Sequence, residues 1–279
     1  MSSLLDPTHQ DDEGPERVEE ERTVKCKFAM RHIAVVLLSA CALVACGGGG
    51  GGDASQGAGG VVVPAADAYF PLSVGSTWTY RRTTVVQGSQ QTADVTARII
   101  DTQEVGGVQG ARLQTLIVSA GSGGQGVADE NIYARSATGI RVFEGDPTDR
   151  VSTAFNGSYV MLMPAVAGDS YPQYEVAVDS GIDYDADGIH DEVGESSRLL
   201  VVGYEDLTLA AGTFAKCLHQ RQMVRRAFFL SGSGKQVNDY VIDTWYAPGI
   251  GQVRRVVLQG SDATVTDELN AYRIAPAHS

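Results

Sequence analysis

The sequence predicts an all-β domain, an antiparallel sheet curled into a barrel, half-barrel or sandwich. Three observations carry that expectation. Short runs rich in Val, Ile, Thr, Tyr and Trp recur along the chain and alternate apolar with polar residues, the period of a half-buried strand. Turn signals separate them, and the chain holds 33 glycines, the residue that tight hairpins use where φ must be positive. No segment beyond residue 46 combines a 3.6-residue apolar period with helix caps.

The front of the chain is not expected to join that sheet. Residues 1–29 are polar and acidic. "MRHIAVVLLSACALVAC" follows: Met30, the basic Arg31 and His32, an apolar run from Ile33 to Ala45, then Cys46. This is the layout of a secretory signal. Its thirteen apolar-type positions fall short of the roughly 20 that span a bilayer as a helix. An acidic leader before such a signal is out of place. Translation is therefore expected to begin at Met30, with 1–29 a disordered, mis-called extension and 30–45 the signal peptide.

"LVAC", residues 43–46, resembles the lipobox of bacterial lipoproteins: an aliphatic residue, small residues before the cut, then Cys. The resemblance implies cleavage before Cys46, a diacylglyceryl thioether on its sulfur and an acyl group such as palmitate on the new amine. The implied partner is a lipid bilayer. Two or more chains anchor stably where one is marginal, because each buried methylene contributes about 0.8 kcal/mol. Gly47 stands where many lipoproteins retained at the inner membrane carry Asp. By the same resemblance the location is the periplasmic face of the outer membrane or the cell surface.

"CGGGGGGDASQGAGG" opens a flexible tether over residues 46–63. At 5–6 Å × √n, its first fifteen residues hold the domain roughly 20 Å from the bilayer. The β-rich domain is expected over 64–279. From Cys46 onward the chain carries 16 Lys+Arg and 26 Asp+Glu. That acidic balance argues against nucleic acid as a partner, since binding phosphates requires clustered basic residues. "RQMVRR", Arg221 to Arg226, comes nearest, and its alternation places the charges mostly outward on a strand. Cys217 is the one cysteine left after lipidation, which excludes an internal disulfide; in "FAKCLHQ" it reads as a small buried residue.

The strands begin with "STWTYRRTTVV" (76–86). "ADVTARII" (93–100) puts Val95, Ala97 and Ile99 on one face and Asp94, Thr96 and Arg98 on the other. "EVGGVQG" turns the chain into "ARLQTLIVSA" (111–120). Later strands are expected over 130–135, 140–144, 173–179, 197–208, 213–230, 236–247, 251–258 and 263–274. An internal echo accompanies them. "PLSVGSTW" and "PAVAGDSY" place Pro71, Gly75, Trp78 and Pro164, Gly168, Tyr171 at the same spacings, 93 residues apart. Each pairs a Pro-led turn with a Gly able to take positive φ and an aromatic that opens a strand. A repeated entry device, a half-domain duplication and chance all remain open from the residues alone.

"YFPLSVGSTWTY", "LAAGTFAKC" and "TWYAPGIGQVRR" resemble segments of a broad group of β-rich bacterial envelope lipoproteins. That resemblance implies an antiparallel sheet curved around an apolar groove. It supplies no catalytic residues.

The strongest site signal is "DYDADGIHDE". Numbered from Asp183, the oxygens of Asp183, Asp185, Asp187, the Ile189 carbonyl and Asp191 fall at positions 1, 3, 5, 7 and 9, with Gly188 at the tight turn. Calcium takes six to eight hard oxygens, and this spacing supplies them around one loop. Glu192 and Glu195 are additional candidate ligands. Gly194 stands at position 12, where an EF-hand has Glu, and the flanking runs read as strands. The loop resembles those of thrombospondin-type repeats, which implies a structural calcium site over 183–195.

Other matches dissolve. "GSGGQG" (121–126) lies between strands, with no helix to present to a pyrophosphate. Cys217 and His219 are i, i+2 on a strand, about 7 Å apart, with no oxyanion site. No catalytic motif appears, so the chain is read as a non-enzyme: a binding or scaffolding module taking an apolar ligand or an envelope protein, with Trp78, Tyr80 and Trp245 as candidate groove aromatics. An envelope hydrolase with an unrecognised site and a purely structural protein are the alternatives.

Overall fold

The computed structural model describes residues 66–120, 124, 126–232, 234–260 and 263–276. The leader, the signal sequence, Cys46 and the tether lie outside the described residues. Twelve strands form one antiparallel sheet nearly closed into a barrel. A first meander comprises β1 (Thr77–Val86), β2 (Ser89–Val105), β3 (Val108–Ser119), β4 (Gly126–Ser136), β5 (Gly139–Glu144) and β6 (Ser158–Leu162). A second comprises β7 (Ser170–Asp179), β8 (Glu192–Leu209), β9 (Gly212–Leu230), β10 (Gly234–Ala247), β11 (Gly251–Gln259) and β12 (Ala263–Arg273). β1 pairs with β12, which leaves β6 and β7 as the ends of the sheet.

The alternation predicted from sequence sets the faces. Val95, Ala97 and Ile99 are buried, while Asp94, Thr96 and Arg98 are exposed. Three elements differ from expectation. β6 is absent from the predicted set because "SYVML" is short and lacks alternation. Two single-turn helices, α1 (Ala66–Tyr69) and α2 (Arg150–Thr153), are too short to show a 3.6-residue period. The second is set by a local cap, with Asp149 accepting the Ser152 amide at 2.9 Å.

The internal echo marks corresponding positions in the two meanders. Gly75 and Gly168 both hold positive φ, 89° and 92°. The Gly75 amide donates to Ile99 O and the Gly168 amide to Val201 O, both at 2.8 Å. Ile99 N returns a bond to Ser76 O, and Val201 N returns one to Asp169 O. Each second strand then shifts register at the same place, between Ile99 and Asp101 in β2 and between Val201 and Gly203 in β8. The entry aromatics reach the opposite half: the Trp78 indole donates to Ile250 O at 2.8 Å, and the Tyr171 hydroxyl accepts from Leu162 N at 3.2 Å. The barrel is two six-stranded units built on one entry device.

The interior changes character along the strands. At the end where β1 begins, Trp78, Tyr80, Ile99, Leu218, Val253 and Leu269 form an apolar core. The α1 segment lies across it. Phe70 packs on Tyr133 of β4 and Tyr246 of β10, while the Tyr69 hydroxyl donates to Lys216 O at 3.1 Å. Further along, the register sets Gln220, Thr244, Arg255, Asp267 and Arg82 side by side across β9, β10, β11, β12 and β1, all buried.

Candidate metal-binding loop

The acidic loop joins β7 to β8 at the end of the barrel away from α1. Its neck is closed by main-chain bonds, Ser180 N to Asp191 O at 3.0 Å and Asp191 N to Ile182 O at 2.8 Å. Ala186 (φ 62°) and Gly188 (φ 91°) take left-handed conformations that fold the intervening residues back. Asp183 accepts from Gly188 N at 2.8 Å and Asp187 N at 3.2 Å. The Gly188 amide is the main reason its carboxyl is held below the usual carboxylate range.

Asp183, Asp185 and Asp187 come together, each offering an oxygen within 4.8 Å of the others. Three like charges so placed repel one another, and a divalent cation among them removes that cost. Asp191 stays outside the cluster. Its buried carboxylate accepts the amides of Tyr184 at 2.6 Å and Ser231 at 3.1 Å, holding the loop's frame. Glu192 is exposed at the start of β8. Glu195 lies inside the sheet, where it accepts from the Tyr174 hydroxyl at 2.6 Å and forms a buried ion pair with Arg226. Arg226 therefore points inward, while Arg221 and Arg225 face outward as expected.

The surface the loop rests on has no counterpart in the loop's own spacing. The turn between β9 and β10 supplies it: Ser231 Oγ donates to Asp187 at 2.6 Å and Gly232 N to Asp185 at 2.9 Å. A Cβ at Gly232 would stand 3.1 Å from an Asp185 oxygen, so the glycine permits this approach. Local spacing cannot reveal a partner more than 40 residues away.

The three aromatics do not line an open groove. Trp78 and Tyr80 are 0% and 2% exposed in the core, where each donates to main-chain oxygen of the second half. Trp245 is clamped within a polar cluster. Its ring stacks on His219 at 4.2 Å, Arg254 lies 5.2 Å above it, and its indole N–H donates to Glu205. His219 places Nε2 2.8 Å from Asp243 and Nδ1 3.1 Å from Glu205, so its ring nitrogens face carboxylates. The Cys217 thiol lies 3.5 Å from Phe214 O, and burial pushes it up to about 11, which keeps it protonated.

One further carboxylate group had no sequence motif. Asp129 of β4 and Glu144 of β5 are both pushed above the usual range, chiefly by burial, with Asp149 adding repulsion to each.

No protein-family model matches the chain, and no curated protein matches it. Solved structures do. A Bacteroides fragilis protein with a YmcC-like fold, assigned provisionally as exported, aligns with TM-score 0.40 and 15% identity over 74% of this chain and 98% of its own. A Parabacteroides distasonis protein, assigned provisionally as a lipoprotein, aligns with TM-score 0.43 and 13% identity over the same shares. A DUF1329 family protein from Desulfovibrio piger aligns with TM-score 0.25 and 9% identity over 74% of this chain and 88% of its own.

Proposed function

We propose that this chain is an exported, lipid-anchored protein of the bacterial envelope whose barrel binds an apolar ligand and whose acidic loop is clipped by calcium. The observation that supports a binding role is the break in the sheet, which leaves a barrel with an apolar interior unpaired between β6 and β7. A sheet nearly closed into a barrel surrounds an aromatic and aliphatic core, with the two halves joined along β1 and β12. The glycine tether after Cys46 leads to that barrel and suits a domain working close to a bilayer. We read the role as binding rather than catalysis, a reading supported at Cys217, where burial disfavours the thiolate that a nucleophile would need.

An apolar fluorophore such as N-phenyl-1-naphthylamine, titrated into the full chain, is expected to gain fluorescence saturably. A flat titration, with crosslinks to other envelope proteins, would favour the scaffolding alternative.

Calcium would be held by Asp183, Asp185 and Asp187, with the Ile189 carbonyl and water completing the oxygen set. The ion would stabilise the loop against the Ser231–Gly232 turn and carry out no chemistry. Extracellular sites of this kind bind at about 10⁻⁴–10⁻³ M. At ten times such a dissociation constant, linkage adds about 1.4 kcal/mol and raises the melting temperature by a few degrees. Asp185→Ala is expected to abolish that shift. A chelator without effect on the wild-type melting temperature would remove the metal from the proposal.

A further inference from the structure

We propose that the seam between β6 and β7 is a gate, latched by side chains, through which an apolar ligand enters the barrel; this rests on the binding role proposed above. The two junctions between the halves are built differently. At the first, β1 and β12 pair along ten positions, from Thr77–Arg273 to Val86–Ala263. At the second, among the described residues, no backbone ladder joins β6 to β7, and the sheet ends there.

Side chains cross the seam instead. Leu162 N donates to the Tyr171 hydroxyl at 3.2 Å, and Gln173 Nε2 donates to Tyr159 O at 2.7 Å. β6 has five residues against ten in β7, so the segment carrying α2 covers the rest of the β7 edge. There Phe155 stacks on Tyr174 at 4.7 Å, and Arg150 pairs with Asp179 at 2.6 Å. Both partners of that ion pair are more than half exposed, 54% and 58%, so it adds little to closure.

Pro172 sits at the register shift of β7 and has no N–H to donate. A ladder opens only by breaking many bonds together, whereas these contacts release by rotation of a few side chains. Opening would expose the inner face directly, because Gln173 on its inner side accepts from Ser197 and Gln222. The apolar end of the barrel is already crossed by Tyr69 and Phe70, which leaves the seam as the lateral route.

Amide hydrogen exchange on the full chain tests the gate, read together with uptake of N-phenyl-1-naphthylamine. Amides of β6 and the β7 edge are expected to exchange about tenfold faster than those of β1 and β12. Tyr171→Phe combined with Phe155→Ala is expected to raise seam exchange and the rate of uptake several-fold together, leaving β1 and β12 unchanged; Tyr171→Phe alone, which removes only the hydroxyl that Leu162 N reaches, guards against misfolding of the pair. Equal protection of the two junctions would overturn the gate. Uptake whose rate ignores the latch variants, despite a labile seam, would overturn it as the entrance. A labile seam with no uptake in any form would overturn the binding role and the entrance together.

Discussion

Asp267→Ala is expected to destabilise the folded domain by about 3–5 kcal/mol, the cost of leaving a buried charge without its partner. Arg82 donates to Asp267 through Nε and Nη2, each at 2.7 Å, with side-chain exposures of only 7% and 2%. The pair joins β1 to β12 at the ladder that unites the two halves. On its other side Asp267 is the register partner of Arg255, also fully buried. Losing the carboxylate leaves the buried Arg82 guanidinium without the anion that accepts its two bonds. Asp267→Asn keeps the shape and loses the charge, so it is expected to cost nearly as much. Replacing both partners by apolar residues, Arg82→Met with Asp267→Leu, is expected to recover most of the loss, because neither charge then needs desolvation.

The neighbouring pair supplies an internal control. Arg81 and Asp94 are 3.1 Å apart but 57% and 77% exposed, and surface pairs contribute about 0–1 kcal/mol. Asp94→Ala should therefore leave the urea midpoint almost unmoved while Asp267→Ala lowers it sharply. Equal shifts for the two would contradict the role given to the buried pair.

These two pairs also show what a linear sequence conceals. Alternation in "ADVTARII" assigns each residue of that strand to its face, because burial of one side of a sheet is a local, period-two constraint. The same rule assigns apolar residues to the inside, and it misses Arg82, Glu195 and Arg226. Each is tolerated there by a partner on another strand; Asp267 is 185 residues from Arg82. The Pro-Gly-aromatic echo was legible as a device, but its meaning lies in bonds to Ile99 and Val201 that only the folded sheet supplies.

The acidic loop divides in the same way. The D-x-D-x-D-G spacing correctly gathers Asp183, Asp185 and Asp187, since that clustering follows from the turn itself. Asp191, read as a fourth carboxylate ligand, stands apart from those three and accepts the amides of Tyr184 and Ser231. Trp78, Tyr80 and Trp245 were legible as important aromatics, but their burial depends on which face of a closed sheet they reach. A strand pattern gives the face and not what fills the space beyond it.

The second large effect is expected at Cys46. Its acylation by two or more chains would make membrane residence nearly complete, because each buried methylene contributes about 0.8 kcal/mol and one chain alone is marginal. The chain's net charge of −13 disfavours attraction to anionic lipid in place of those chains. Cys46→Ser should therefore move the protein almost wholly from the membrane pellet to the soluble fraction without altering its fold, since the proposed Gly-rich tether would separate residue 46 from the barrel.

Metabolic labelling with palmitate tests the anchored-envelope role most directly. The wild-type chain should incorporate label and sediment with membranes, and Cys46→Ser should do neither. Incorporation that persists in Cys46→Ser, or its absence from the wild-type chain, would contradict lipid anchoring at this residue.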